Sequence, residues 1–143
     1  MAESVPIIDH VGIAVNSLEG AIPLYAALLG EGPVGEETVP SEAVRVAFFG
    51  KGSGRVELLE PTSPDSAIAR FIDQRGEGLH HICLQVSDLD AALRHAAETG
   101  VGVIPPGARV GSAGRRVAFL HPKSTRGVLL ELIEMSAEVE PRE

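Results

Sequence analysis

Residues 8–18 read IDHVGIAVNSL and residues 79–89 read LHHICLQVSDL. A shift of 71 positions lays His10 on His81, Val15 on Val86 and Leu18 on Leu89. The same shift sets Arg45-Val46-Ala47-Phe48 on Arg116-Val117-Ala118-Phe119, four identities in a row. Farther on, VELLEP (56–61) resembles LELIEM (130–135); Glu57 meets Glu131 at a shift of 74, implying three extra residues in the second half. One such match arises by chance, whereas three in the same order indicate duplication.

Working outward, residues 8–15 alternate, with Val11, Ile13 and Val15 opposite Ile8, His10, Gly12 and Ala14. Residues 79–86 do the same, with Ile82, Leu84 and Val86 opposite Leu79, His81, Cys83 and Gln85. Such alternation predicts half-buried strands. Asn16-Ser17 and Ser87-Asp88 then supply capping side chains for helices over 18–29 and 88–99, which stop near Gly30 and Gly100. Pro23 is tolerable only near the first turn of its helix. Further strands are predicted at 33–39, 43–50 and 54–60, and at 101–105, 114–121 and 127–134. Ile68, Phe71 and Ile72 recur at helical spacing, so a linker helix is expected over 63–75 with Ser63 as its cap and Pro64 at its first position. The acidic tail beyond Met135 is expected to fray.

The expected fold class is therefore α+β. Two tandem βαβββ modules, about 7–62 and 78–135, form a cupped mixed sheet around a shared metal site, and residues 1–143 make one domain. One helix covers one sheet face of each module, and the other face closes against its partner.

Composition narrows the function. With 44% hydrophobic residues the 143-residue chain can bury a core, and no apolar run reaches the length of a membrane span. Met1-Ala2-Glu3-Ser4 shows no secretory leader pattern, so a cytoplasmic location is expected. The net charge of −8 and the scarcity of aromatics argue against a nucleic-acid partner. A single cysteine, Cys83, excludes an intrachain disulfide framework. Charge is uneven, however: between Glu98 and Glu131 no acidic residue occurs, while Arg109, Arg115, Arg116, Lys123 and Arg126 all do. That stretch suits an anionic ligand.

The first strand of each module carries a histidine, His10 or His81, and the last a glutamate, Glu57 or Glu131. A lone strand histidine is usually structural. Recurrence at equivalent positions of two modules changes that balance and points to one divalent ion on two imidazoles and two carboxylates. Zinc, cobalt, nickel, manganese and iron(II) all fit, and two octahedral positions stay open for a chelating substrate. His80, alternating toward the helix side, His95 on a helix surface and His121 in a loop keep structural readings. Cys83, on the strand face of His81, reads as a small buried thiol.

With IDHVGIAV, VELLEP, GLHHICLQV and GVLLELIE, the chain resembles the vicinal oxygen chelate, or glyoxalase-like, superfamily. Within it, LLEPTSPDSAIARFI (58–72), RGEGLHHI (75–82) and FLHPKSTRGVLLEL (119–132) are similar to the family of methylmalonyl-CoA epimerases, over about residues 7–134. The resemblance implies a homodimeric, metal-dependent isomerase of propionate metabolism, interconverting (2R)- and (2S)-methylmalonyl-CoA, with His10, Glu57, His81 and Glu131 as ligands. Family members carry a catalytic glutamate where this chain has Val46, and their Glu-Gln-Gly reads Ser41-Glu42-Ala43 here. Glu42 is the displaced candidate base, set against a solvated hairpin glutamate, and Glu131 is the other participant in proton transfer. Lys123, Ser124 and Arg116, with Arg115 and Arg126 nearby, are candidates for the substrate carboxylate or the CoA phosphates. Alternatives are a glyoxalase-like isomerase or lyase on another chelating substrate, and a metal-free binding protein of the same fold.

Overall fold

The computed structural model describes residues 6–135. The N-terminal tetrapeptide and the acidic tail lie outside the described residues. The elements run β1 (Ile8–Ala14), α1 (Leu18–Leu29), β2 (Gly35–Val39), β3 (Val44–Phe49), β4 (Arg55–Pro61), α2 (Ala67–Arg75), β5 (Gly78–Val86), α3 (Leu89–Glu98), β6 (Arg109–Val110), β7 (Arg116–Leu120) and β8 (Leu130–Glu134). The order βαβββ thus occurs twice, with α2 between the copies. Among the described residues no helix is long and apolar enough to cross a membrane.

The chain divides into two compact units, His10–His81 and the remainder. In the first, β1 runs parallel to β4, and β4-β3-β2 continue as an antiparallel meander. Cross-strand partners share a face, so the registers Gly12↔Glu57, Phe48↔Glu57 and Val46↔Leu59 put these side chains on one side of the sheet. The opposite side carries Ala47, Phe49 and Leu58, which pack with Leu18, Ile22 and Tyr25 of α1. Fully burying a residue such as Leu58 or Phe49 contributes about 1.5–3 kcal/mol. On the Gly12 side, Ala14, Val44, Val46 and Leu59 bury against Ile68 and Phe71 of α2.

The second unit repeats the plan. β5 runs parallel to β8, followed by antiparallel β7 and β6. Cys83↔Glu131 and Phe119↔Glu131 reproduce Gly12↔Glu57 and Phe48↔Glu57. Leu89 and Ala96 of α3 pack on Ala118, Leu120 and Leu132, while Cys83, Val117 and Ile133 cluster on the other side.

Helix starts are duplicated down to the atom. The Ser17 hydroxyl accepts from Gly20 N at 3.2 Å, and the Asp88 carboxylate accepts from Ala91 N at 3.0 Å. Leu18 N donates to Glu60 at 2.9 Å, and Leu89 N donates to Glu134 at 2.9 Å. Each VELLE-type strand therefore sends its second glutamate to the start of its own helix, where free amides and the helix dipole favour an anion.

Two expectations are corrected. The linker helix begins at Ala67 with Ser66 as its cap, accepting from Ala69 N at 3.0 Å. Ser63 instead closes a turn over Pro64 and Asp65, accepting from Asp65 N at 3.1 Å. The strand expected at 101–105 is reduced to a bridge between Val103 and Leu120, and pairing resumes at Arg109. Pro105 and Pro106 explain this, because neither has an N–H for a ladder. Pro23 lies in the second turn of α1, and the helix runs through it over the expected residues, Leu18–Leu29.

Candidate metal centre

β1 and β4 place His10 and Glu57 on the same sheet face, and the start of β5 brings in His81. All three are nearly sealed from solvent, at 3%, 3% and 6% exposure. The Nε2 atoms of His10 and His81 lie 3.2 Å apart, with ring centroids at 5.3 Å and planes at 85°. Two imidazole nitrogens converging in this way can face a single ion. The other edge of His10 meets acid: its Nδ1 is 3.3 Å from Glu57 Oε2. Arg55 Nη2 lies 3.6 Å from the same oxygen, so a guanidinium offsets the burial of this carboxylate.

Gly12 makes the arrangement possible. A Cβ on residue 12 would sit 2.2 Å from Cε1 of His81 and 2.7 Å from its Nε2. The His81 ring therefore occupies the space over Gly12, and Ala14 is fully buried in the core. Behind His81, Nδ1 of His80 lies 3.0 Å from Nδ1 of His81. The His80 ring is set edge-on to Phe71 of α2, with centroids 4.9 Å apart. Sequence alternation turned His80 away from the centre; its ring touches the centre's histidine. Two neutral imidazoles and a buried carboxylate form a mixed nitrogen and oxygen donor set that fits a borderline divalent ion.

In the other unit Glu131 is 8% exposed on β8, between Cys83 and Phe119 in register. Arg109 stacks its guanidinium 5.0 Å from the centre of the Phe119 ring. Asp9, 1% exposed, accepts from Gln85 Nε2 at 2.9 Å and lies 3.4 Å from Arg115 Nη1. Buried Asp9 thus engages Arg115, a contact that no motif or periodicity announces.

The remaining candidates are dispersed. Glu42 is half-buried at the end of a 3-10 turn, Pro40–Glu42, between β2 and β3. Val46 is 2% exposed in the core. Arg116 bonds Asp90 and Glu134, each at 3.0 Å, and its pKa is raised chiefly by the hydrogen bond to Asp90 and then by that to Glu134. Lys123 and Ser124 are exposed in the loop after β7, where the Ser124 hydroxyl accepts from Gly102 N at 2.9 Å. His121 Nδ1 accepts from Lys123 N in that loop.

Residues 9–119 match the model of the Glyoxalase/Bleomycin resistance protein/Dioxygenase superfamily. The mitochondrial methylmalonyl-CoA epimerase of Bos taurus is 37% identical over 127 residues, 87% of this chain and 72% of that protein. The ethylmalonyl-CoA/methylmalonyl-CoA epimerase of Cereibacter sphaeroides is 38% identical over 127 residues, 87% of this chain and 95% of that protein. A solved structure of a Streptomyces coelicolor methylmalonyl-CoA epimerase variant, in complex with 2-nitronate-propionyl-CoA, superposes with a TM-score of 0.88 at 37% identity, covering 96% of this chain and 100% of that one. The duplicated βαβββ plan, the buried histidines and these likenesses agree: the chain belongs to the glyoxalase/vicinal oxygen chelate superfamily and, within it, to the methylmalonyl-CoA epimerase family.

Proposed function

We propose that this protein is a metal-dependent epimerase that interconverts (2R)- and (2S)-methylmalonyl-CoA by removing and returning the proton on the carbon between thioester and carboxylate. The observation that carries this reading is the convergence of His10 and His81, their Nε2 atoms 3.2 Å apart beside buried Glu57, in a chain with the family's sequence. The proposed ligands are His10, Glu57, His81 and Glu131. Glu131 enters as the repeat-equivalent of Glu57, buried at the same register. A divalent ion there supplies Lewis-acid stabilisation of the charge that develops on the thioester oxygen.

The side chains have separate tasks. The imidazoles and carboxylates orient the site, and the low exposure around them excludes water that would compete for the proton. Proton transfer on two faces of the carbon needs two groups. Val46 cannot serve, so Glu131 and Glu42 are proposed. Lys123 and Ser124 in the β7–β8 loop, with Arg116, are proposed to meet the CoA phosphates or the substrate carboxylate. Arg116 must then release Asp90 and Glu134, which it holds at 3.0 Å each. The protein is further proposed to act as a cytoplasmic homodimer in propionate metabolism.

The test is direct. Metal-loaded protein given pure (2S)-methylmalonyl-CoA should produce a mixture of both isomers, read by chiral separation of the product. Persistence of the single isomer would overturn the proposal.

A further inference from the structure

Three side-chain contacts within residues 10–81 form a line: Glu57 Oε2 to His10 Nδ1 at 3.3 Å, His10 Nε2 to His81 Nε2 at 3.2 Å, and His81 Nδ1 to His80 Nδ1 at 3.0 Å. Within each histidine pair one nitrogen donates and the other accepts, so the proton positions of His81 and His80 are linked, as are those of His10 and His81.

An ion held by both Nε2 atoms needs a bare nitrogen on each. His81 meets the demand only by carrying its proton on Nδ1, and there the proton points at His80, 3.0 Å away. His80 must correspondingly carry its own proton on Nε2 and accept.

We infer that His80 is a positioning residue of the centre: it accepts the Nδ1 proton of His81 and so fixes His81 in the tautomer and orientation that leave Nε2 bare. The inference rests on the reading of His10 and His81 as metal ligands. Its geometric support is independent of that reading, since Phe71 holds the His80 ring edge-on at 4.9 Å and Arg75 lies 5.7 Å from the centre of the Phe71 ring. Losing a partner that fixes the tautomer of a ligating histidine typically costs about 10–100-fold in metal affinity.

Two variants separate acceptance from packing. His80→Phe keeps a ring against Phe71 but cannot accept, whereas His80→Asn loses the ring but offers a carbonyl oxygen. Zinc affinity, measured on the full chain by competition with a chelator, should weaken about 10–100-fold in His80→Phe and stay within about threefold in His80→Asn. In ¹⁵N-labelled, zinc-loaded parent protein, the proton should reside on His81 Nδ1, with a nitrogen–nitrogen coupling across the hydrogen bond to His80 Nδ1. Equal affinity in parent and His80→Phe, equal weakening in both variants, or a zinc-loaded His81 protonated on Nε2 would each overturn the role of His80. A parent chain that binds no zinc would overturn the metal centre itself, and this inference with it, before any variant is compared.

Discussion

The missing side chain of Gly12 defines the seat of His81: a methyl group there would lie 2.2 Å from the ring's Cε1. No carbon pair tolerates that distance, and the obstacle is an imidazole packed against its neighbours. Gly12→Ala should therefore displace the His81 ring, lower the bound divalent ion per chain, and cost about 1–3 kcal/mol as an overpacked site. Metal content and thermal unfolding of the purified variant check both effects.

Removing a ligand differs from crowding one. His10→Ala and His81→Ala should each reduce bound metal from one ion per chain to near zero while the chain stays folded. Elemental analysis with circular dichroism reads this, and full metal retention in both variants would contradict the centre.

The second glutamate of each repeat should support the start of its own helix. Glu60 and Glu134 each accept from the first amide of their module's helix, at 2.9 Å. Alanine at either position should cost about 1 kcal/mol, in the range of lost helix caps, and lower the melting temperature by a few degrees. Zinc affinity should be unchanged in Glu60→Ala.

The basic segment allows a kinetic test of substrate recognition. If Arg116, Lys123 or Ser124 meets the CoA phosphates, its alanine variant should raise KM with kcat nearly intact, because those contacts persist from ground state to transition state. Methylmalonyl-pantetheine, without the nucleotide, should not respond. Unchanged kinetics in all three variants would remove these residues from the site.

The repeat made much of this legible. His10 and His81 stood out because one shift relates them along with Val15, Leu18 and a four-residue identity. Glu57 followed from the same logic, and the structure seats all three side chains beneath the surface. Other features depend on three-dimensional distance. Nothing in the alternation of β1 reveals that the space above Gly12 belongs to His81. Strict alternation also places His80 and His81 on opposite faces, and it cannot show one ring turned edge-on to the next. The alternation around Val101 and Val103 suggests a strand, but a ladder cannot run through Pro105 and Pro106, two residues without N–H groups. Ser63 and Ser66 both suit a cap, and only the helix start at Ala67 decides between them.

The central claim is proton exchange at a metal-held carbon, and it is tested most directly by deuterium wash-in. Each methylmalonyl-CoA isomer is incubated separately in D₂O with metal-loaded parent, Glu131→Gln and Glu42→Gln, and incorporation at the α-carbon is followed by NMR. The account predicts incorporation from both isomers in the parent. In each variant exchange should be lost mainly from one isomer, on opposite faces for the two glutamates, by about 10²–10⁴-fold. Glu131→Gln should also bind metal more weakly, and Glu42→Gln should not. Absence of α-deuterium in the metal-loaded parent, with either isomer, would contradict the account.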